Sequence, residues 1–377
     1  MSVFDELDGL TKPIVDIYGE IELELLESIA KRFDTYDALG GTLEWQIKKL
    51  DEMGALNAET TRIIARRSKK SEKEIKKMLR SAGFANVDKP ALQKAYRSGA
   101  IDVDPDAIMK SPVMRSTIED SYKELRDSFR LIKTKALESA KQEYMTVINK
   151  AYIDVSSGVY DYNTAIKKAL RGMAANGITG ATYRRGGKTV KYSIEAAVRR
   201  DTLTAVHQTA NKNSYTLAKE IGAGYVEVSS HAGARTHPTN HIANHAWWQG
   251  KVYKIDGFDE KYGNLKNNTG YPDDILGLGG VNCRHRIYPF IPGVSEPVAA
   301  HYDEKEAERQ YKLAQMQRAK ERKIRAVKKE IAVAKASGQP TKELDAKLRT
   351  LYTDMIDFCK ENGLTREFSR EMIQGES

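Results

Sequence analysis

The stretch 225–292 constrains the fold most, because its composition differs from that of the rest of the chain. It contains five of the seven histidines, the adjacent pair Trp247 and Trp248, and many glycines. Glycines at this density interrupt helices and favour tight turns. The stretch therefore predicts a small module of short strands and turns, held together by histidine and aromatic side chains.

The segments on either side of this module have helical periodicity. Apolar residues recur every three or four positions across 116–152 and 194–219, and again across 301–335. A pair of glycines, Gly186 and Gly187, lies between β-prone flanks and predicts one β-hairpin near 182–192. These segments predict long helices that enclose a single hairpin.

The predicted fold class is α+β, mainly α-helical, with long helical arms, a small central α+β module rich in histidine and glycine, and a C-terminal helical hairpin. The 377 residues are enough for two or three domains. Four consecutive regions are predicted: N-terminal helices in 1–110, a long-helix region in 111–222, the central module in 223–297, and a basic helical hairpin in 298–377.

Composition excludes several classes of protein. No apolar run approaches the ~20 residues that a membrane span requires. The N-terminus lacks the basic and apolar regions of a secretory signal. Two cysteines, Cys283 and Cys359, do not make a disulfide framework, so we expect a reducing compartment.

The histidines and one cysteine in 223–297 have a spacing that permits metal binding. In a helix, His237, His241 and His245 would lie four residues apart on one face. In a strand over 282–287, Cys283 and His285 would point to the same side. Imidazole and thiolate ligands suit a tetrahedral zinc site. A hydrogen-bonded core of histidines beneath the tryptophan pair explains the same residues without a metal.

Histidine also serves as a general base near neutral pH, so the same module allows a nuclease. The segment 241–245 lacks the glutamate that metalloproteases use as a base, and no acidic cluster indicates a magnesium site. The prediction is that the protein is not an enzyme. The alternative is a metal-dependent or histidine-based nuclease, with these catalytic candidates: His245, His241, Arg235 and His285.

A net charge of +9 permits non-specific attraction to polyanions. The segment 301–335 has eleven lysines and arginines against six acidic residues. Phosphate contact needs only such cations and reads no base sequence. The predicted DNA-contact residues are Arg318, Lys320, Arg322, Lys323, Arg325, Lys328 and Lys329.

Four segments carry a resemblance to a known family. They are SIEAAVRRDTLTAVHQTAN (193–211), VEVSSHAGARTHP (226–238), HAWWQGKVY (245–253) and GYPDDILGLGGVNCRHRIYPFIPG (270–293). In this order they resemble the phage minor capsid protein 2 family, which is similar to the head-morphogenesis proteins of Mu-like tailed phages. The Mu-like relatives usually have two cysteines around the arginine, and His285 replaces the second one here. The signature positions that the resemblance assigns are His231, Arg235, His245, Trp248, Gly250, Cys283, Arg284 and His285.

The resemblance implies a minor component of the virion head, made in the host cytoplasm and sited inside the capsid at the portal vertex. Its implied partners are the portal protein and packaged double-stranded DNA, with the major capsid or scaffolding protein as further candidates. Implied roles are head assembly, DNA packaging and DNA ejection. Zinc is the one cofactor for which the sequence offers ligands, and the family pattern assigns no catalysis.

Overall fold

A computed structural model describes residues 3–33, 42–185 and 187–374, which form fourteen α-helices and five short strands. The prediction of a mainly helical α+β fold is confirmed. Gly186, half of the predicted glycine turn, lies outside the described residues.

The N-terminal third is a series of short helices, as the sequence predicts. Aspartate carboxylates begin two of them, because Asp88 accepts a hydrogen bond from the N–H of Ala91 and Asp104 accepts one from Asp106. The helices are α1 (Val3–Leu10), α2 (Lys12–Lys31), α3 (Thr42–Asp51), α4 (Met53–Ser68), α5 (Ser71–Gly83), α6 (Lys89–Arg97) and α7 (Pro105–Ile108).

The middle of the chain contains two long helices and a β-hairpin, in agreement with the predicted spans. Ser193 lies at the start of the second long helix, where its hydroxyl accepts a hydrogen bond from the N–H of Ala196. The elements are α8 (Pro112–Ser156), α9 (Tyr162–Asn176), β1 (Thr179–Arg185), β2 (Lys188–Ser193) and α10 (Ile194–Glu220). Strands β1 and β2 pair antiparallel, from Thr179 opposite Ser193 to Arg185 opposite Lys188.

The histidine-rich module contains a three-stranded antiparallel sheet, with short helices in its connections. Its elements are β3 (Tyr225–Val228), α11 (His245–Trp248), β4 (Val252–Lys254), α12 (Leu265–Thr269) and β5 (Ile287–Phe290). Strand β3 is central, with β4 on one side and β5 on the other. Its residues Val226 and Val228 are fully buried, and the sheet supports the core that surrounds Trp248.

The chain ends in a helical hairpin of α13 (Glu304–Ala336) and α14 (Lys342–Asn362), as predicted. Val327, Ile331 and Ala334 of α13 pack against Leu344 of α14. Gly363 ends α14 with a left-handed conformation (φ 62°), which a glycine adopts without steric cost.

The chain forms two compact units, and both are discontinuous in sequence. The first unit contains residues 1–13, 73–127 and 200–315, and the second contains 14–72, 128–199 and 316–377. Helices α8, α10 and α13 each contribute residues to both units. The units therefore cut across the four consecutive regions that the sequence predicts, although the whole of 223–297 lies in the first unit.

Within the second unit, α13 is not a free arm, because its lysines and arginines reach buried carboxylates. Lys329 Nζ lies 2.7 Å from Glu22 Oε1 and 3.6 Å from Glu195 Oε2. Arg199 pairs with Glu195 at 2.8 Å, and Arg325 lies 3.9 Å from it. We call these five residues the buried ion network.

A search of the described helices finds none with the length and apolar character needed to cross a membrane.

Candidate metal centre in the histidine-rich module

Three potential metal ligands meet inside the first unit. His245 begins α11, and Cys283 and His285 lie in the segment that leads into β5. Their exposed fractions are 2%, 2% and 0%, so all three side chains lie in the protein interior. One ligand atom from each residue lies within 4.8 Å of the other two. The fold therefore joins positions 245 and 283–285, which are far apart in sequence.

The hydrogen bonds of Gln249 fix which nitrogen of His285 carries the proton. Gln249 Oε1 accepts a hydrogen bond from the backbone N–H of His231 at 2.9 Å, so the oxygen must face this cluster. The same oxygen lies 3.0 Å from His285 Nε2, which must therefore be the donor. The remaining nitrogen, Nδ1, presents its lone pair to Cys283 Sγ at 3.6 Å.

A backbone carbonyl orients His245 in the same way. His245 Nε2 lies 2.7 Å from the carbonyl oxygen of Leu276, and a carbonyl can only accept. Arg235 holds the same loop through hydrogen bonds from its guanidinium to the carbonyls of Leu276 and Val281. His245 and His285 therefore share one tautomer, protonated at Nε2 and with the Nδ1 lone pair free for a ligand.

Aromatic contacts fill the space around these three side chains. The Trp248 ring centroid lies 4.5 Å from that of His245 and 4.7 Å from that of His285. The Trp248 indole N–H donates to the carbonyl of Ile242 at 2.9 Å, so this fully buried ring has its polar atom satisfied. His231 is half-buried and stacks on His285 at 4.5 Å. The rings limit the movement of the two imidazoles.

Burial determines the protonation of this cluster. Desolvation lowers the pKa of His245 to about 3, and nearby Arg235 and His231 lower it further. Desolvation also lowers the pKa of His285 well below its ordinary value and raises the pKa of the Cys283 thiol. Both imidazoles are therefore neutral near pH 7, which is the form that binds a metal. The thiol stays protonated until a cation takes the place of its proton.

His237 and His241 do not join this group in the described structure, because the predicted helix over 237–245 does not form. His237 Nδ1 accepts hydrogen bonds from the N–H groups of Thr239 and Asn240. Asn240 in turn accepts one from Ala243. Such side-chain bonds give the backbone an alternative to the helix, so the segment forms turns and α11 begins only at His245.

The predicted strand over 282–287 is also shorter in the structure. Asn282 has a positive φ of 59°, which interrupts the extended backbone, and β5 begins at Ile287. Cys283 and His285 nevertheless contact each other, with Sγ and Nδ1 3.6 Å apart.

The four catalytic candidates do not share one open site. His245 and His285 are buried, and the Arg235 guanidinium is bonded to two loop carbonyls. His241 is exposed, packs against Trp247 at 5.5 Å and lies 3.3 Å from the Asn267 carbonyl.

The seven DNA-contact candidates on α13 divide by exposure. Arg322 and Lys323 are exposed, and Arg318 and Lys320 are half-buried. Lys328 and Lys329 are buried, and Arg325 belongs with Lys329 to the buried ion network. Phosphate contact stays a prediction for all seven residues, and Arg322 and Lys323 are the most exposed of them.

Two residues that position the cluster, Gln249 and Asn211, are not among those predicted from the sequence. Asn211 donates to the carbonyl of His285 and accepts a hydrogen bond from the N–H of Ile287, which holds this segment in place. It lies on α10 among other fully buried polar residues, Thr209, Asn213 and Ser214. This group of polar residues on an otherwise amphipathic helix was the signal from which Asn211 could have been predicted. Gln249 gave no signal.

Two further signature positions connect the module to neighbouring segments of its unit. Gly250 has a φ of +67°, and a Cβ there would lie 3.2 Å from the Ala300 carbonyl oxygen. Arg284 forms an ion pair with Asp8 of α1. Another anchor, Glu227, is buried and accepts hydrogen bonds from the N–H groups of Val298 and Ala299. These contacts secure the module at both of its ends.

The chain matches the phage minor capsid protein 2 family over residues 5–360. It belongs to that family. The chain is also similar to a structural protein of Lactococcus phage LL-H, with 26% identity over 344 residues, which cover 87% of this chain and 88% of the relative.

A second relative of this minor capsid protein, a structural protein of Lactococcus phage mv4, is 36% identical over 120 residues. The match covers 31% of this chain and 95% of that relative. No solved structure matches the chain significantly. The family and these relatives make the chain a structural protein of a phage virion.

Proposed function

We propose that this minor capsid protein is bound inside the head at the portal vertex and has a structural role in head assembly, with further roles in DNA packaging or ejection. Its proposed partners are the portal protein, the packaged double-stranded DNA, and the major capsid or scaffolding protein. The family and the two phage structural proteins similar to it support membership of the virion. The location of the protein inside the head is inferred from the resemblance of the chain's motifs to those of head-morphogenesis proteins.

One observation favours a structural role over catalysis: the histidines sit inside the core. His245 and His285 are 2% and 0% exposed, and each donates a hydrogen bond to a fixed acceptor. A general base must reach a substrate proton within hydrogen-bond distance. Buried imidazoles packed against Trp248 support the module and have almost no surface at which a substrate proton could be reached.

In this proposal, exposed lysines and arginines make the contact with packaged DNA. On α13 these are Arg322 and Lys323, whose side chains face solvent. A second exposed basic group lies on the β-hairpin, where Arg184, Lys188 and Lys191 are all exposed. Phosphate contact of this kind is independent of base sequence and weakens steeply with salt.

The location is tested by cross-linking purified virions and identifying the cross-linked peptides by mass spectrometry. Peptides joining this chain to the portal protein, at a copy number far below that of the major capsid protein, are the expected result. Absence of the chain from purified heads, or cross-links spread evenly over the major capsid protein, would contradict the proposal.

The alternative, a metal-dependent or histidine-based nuclease, is tested by incubating the purified protein with DNA and RNA, with and without a chelator. The structural proposal expects no cleavage above a buffer blank. Cleavage by the wild-type protein that is abolished in both His245→Ala and His241→Ala, with folding checked by circular dichroism, would overturn it.

A further inference from the structure

We propose that Cys283, His285 and His245 bind one divalent zinc ion, through the Sγ atom and the two Nδ1 atoms. This site is independent of the proposed place of the protein in the head. Three protein ligands would hold the ion, and a bound water would complete its tetrahedral set.

The ligand atoms are separated by distances close to those of a zinc site. Zinc bonds of about 2.3 Å to sulfur and about 2.0–2.1 Å to nitrogen, at tetrahedral angles, place the two donors about 3.5 Å apart. Cys283 Sγ and His285 Nδ1 are separated by 3.6 Å. The separations from the His245 ligand atom lie within 4.8 Å. The His245 ring therefore needs to approach the pair by at most about 1.5 Å.

Both imidazoles also have the hydrogen-bond partners that orient metal ligands. A histidine that binds a metal through one nitrogen usually donates its other N–H to a carbonyl or similar acceptor. His285 donates to Gln249 Oε1, and His245 donates to the Leu276 carbonyl. Gln249 is itself oriented by the backbone N–H of His231. These acceptors leave both Nδ1 lone pairs available.

The chemistry of the three ligands selects the metal. One thiolate and two imidazoles are borderline-soft ligands that favour zinc, whereas magnesium and calcium require oxygen. The alternative to a metal is a simple hydrogen bond from the Cys283 thiol to His285 Nδ1, which the 3.6 Å separation also allows. A hydrogen bond explains that pair, but it does not explain why a ring nitrogen of a third buried residue, His245, lies within 4.8 Å of both ligand atoms.

Zinc at this position would act as a cross-link. It would join α11 to the segment that enters β5, and so connect two parts of the module that are separated in sequence. A metal that binds only the folded arrangement stabilises it by mass action. The ion therefore serves as a structural clamp for the module, in keeping with the burial of its ligands.

The test uses the full-length protein, purified without chelator from cells grown with added zinc. Metal analysis is expected to give about one equivalent of zinc per chain for the wild type and less than about a fifth for Cys283→Ser. Matched controls are His237→Ala, His241→Ala and Cys359→Ser, which alter the same residue types outside the group and are expected to retain full metal content.

Cobalt substitution provides a second measurement, which still tests the proposal if the Cys283→Ser variant does not fold. Wild-type protein loaded with Co²⁺ is expected to show the visible bands of a tetrahedral ion and a thiolate charge-transfer band in the near ultraviolet. His245→Cys, which retains a donor atom, is expected to keep the metal and increase the charge-transfer band. Zinc content below about a tenth of an equivalent in the wild type, or equal metal content in wild type and a folded Cys283→Ser, would overturn the proposal.

Discussion

At the residue scale, the adjacent tryptophans have different roles. Trp248 is fully buried, contacts both histidines of the candidate site and donates its indole N–H to Ile242. Trp247 is 38% exposed and lies against His241 and Lys251. The sequence presents them as one pair, but only one of them belongs to the core.

Replacing Trp248 with alanine should lower the free energy of unfolding by about 3–5 kcal/mol, because it leaves a large cavity in a packed core. Replacing Trp247 with alanine should cost far less, since its ring is already partly in water. Urea denaturation followed by far-ultraviolet circular dichroism measures both. Equal losses in the two variants would show that the module is not built around Trp248.

The buried ion network supplies a second prediction. Lys329→Ala removes the partner of Glu22, whose side chain has no exposed surface. An unpaired buried charge costs about 3–5 kcal/mol. The matched control, Lys323→Ala, removes an exposed lysine from the same helix and should change the free energy of unfolding by less than about 0.5 kcal/mol. Denaturant titration of both variants provides the comparison.

Glu195 makes the second unit sensitive to acid. Burial acts to raise the pKa of its carboxyl, but Lys329, Arg325 and Arg199 together outweigh burial and lower the pKa to about 2. A carboxyl with a depressed pKa stabilises the fold above its unfolded pKa near 4.5, and this contribution is lost as pH falls toward 2. The contribution is on the order of 3 kcal/mol.

The free energy of unfolding of the wild type should therefore fall more steeply between about pH 5 and pH 2 than that of Glu195→Gln. Other carboxyls titrate in both proteins, so the difference between the two curves isolates Glu195. Parallel curves would mean that the network does not hold this carboxylate charged.

At the element scale, a glycine in α9 and a glycine in β1 differ in the space available for a side chain. Gly172 lies inside α9, and a Cβ there would meet no atom within 4 Å. Gly180 lies in β1, and a Cβ there would lie 2.8 Å from the Cα of Ile194. The first glycine marks free space, whereas the second permits a close backbone approach.

Gly172→Ala should stabilise the protein by about 0.5–1 kcal/mol, because alanine restricts the unfolded chain and suits a helix. Gly180→Ala should destabilise it by about 1–3 kcal/mol, since backbone atoms must shift. Thermal denaturation of the two single variants tests the contrast. A stabilising Gly180→Ala would contradict the tight packing of β1 against the start of α10.

At the scale of the whole molecule, a net charge of +9 does not by itself define a DNA-binding surface. Lys329 and Arg325 neutralise buried carboxylates and contribute to stability, whereas Arg322 and Lys323 face solvent. Only cations that reach the surface can displace counterions from DNA.

Binding of double-stranded DNA by the full chain should be weak, independent of sequence and steeply salt-dependent. The double variant Arg322→Gln and Lys323→Gln should reduce the slope of log K against log salt by about 2. Fluorescence anisotropy at several salt concentrations measures it. The double variant Lys69→Gln and Lys70→Gln, an equal change of charge on exposed residues elsewhere, is the control. Equal slopes in all three proteins would remove α13 from the proposed interface.

The sequence by itself determined the long helices, the two hairpins and the family. Long helices over 116–152 and 194–219, the β-hairpin near 182–192 and the C-terminal hairpin all follow from local periodicity and turn residues. These signals are local, because apolar spacing and glycine conformations act within a few residues. The motif order around Cys283 and His285 likewise sufficed to indicate the minor capsid family that the full-length match confirms.

Only the tertiary structure decided which side chains meet. Five candidate ligands had suitable spacing, yet His237 and His241 bond to nearby backbone groups while His245 reaches Cys283 and His285. Likewise, seven basic residues of α13 look alike in sequence, yet Lys329 is drawn into the interior by Glu22. The physical reason is the same for His245 and Lys329: a buried polar side chain is positioned by partners distant in sequence, because a buried donor or charge must be satisfied wherever the fold provides an acceptor.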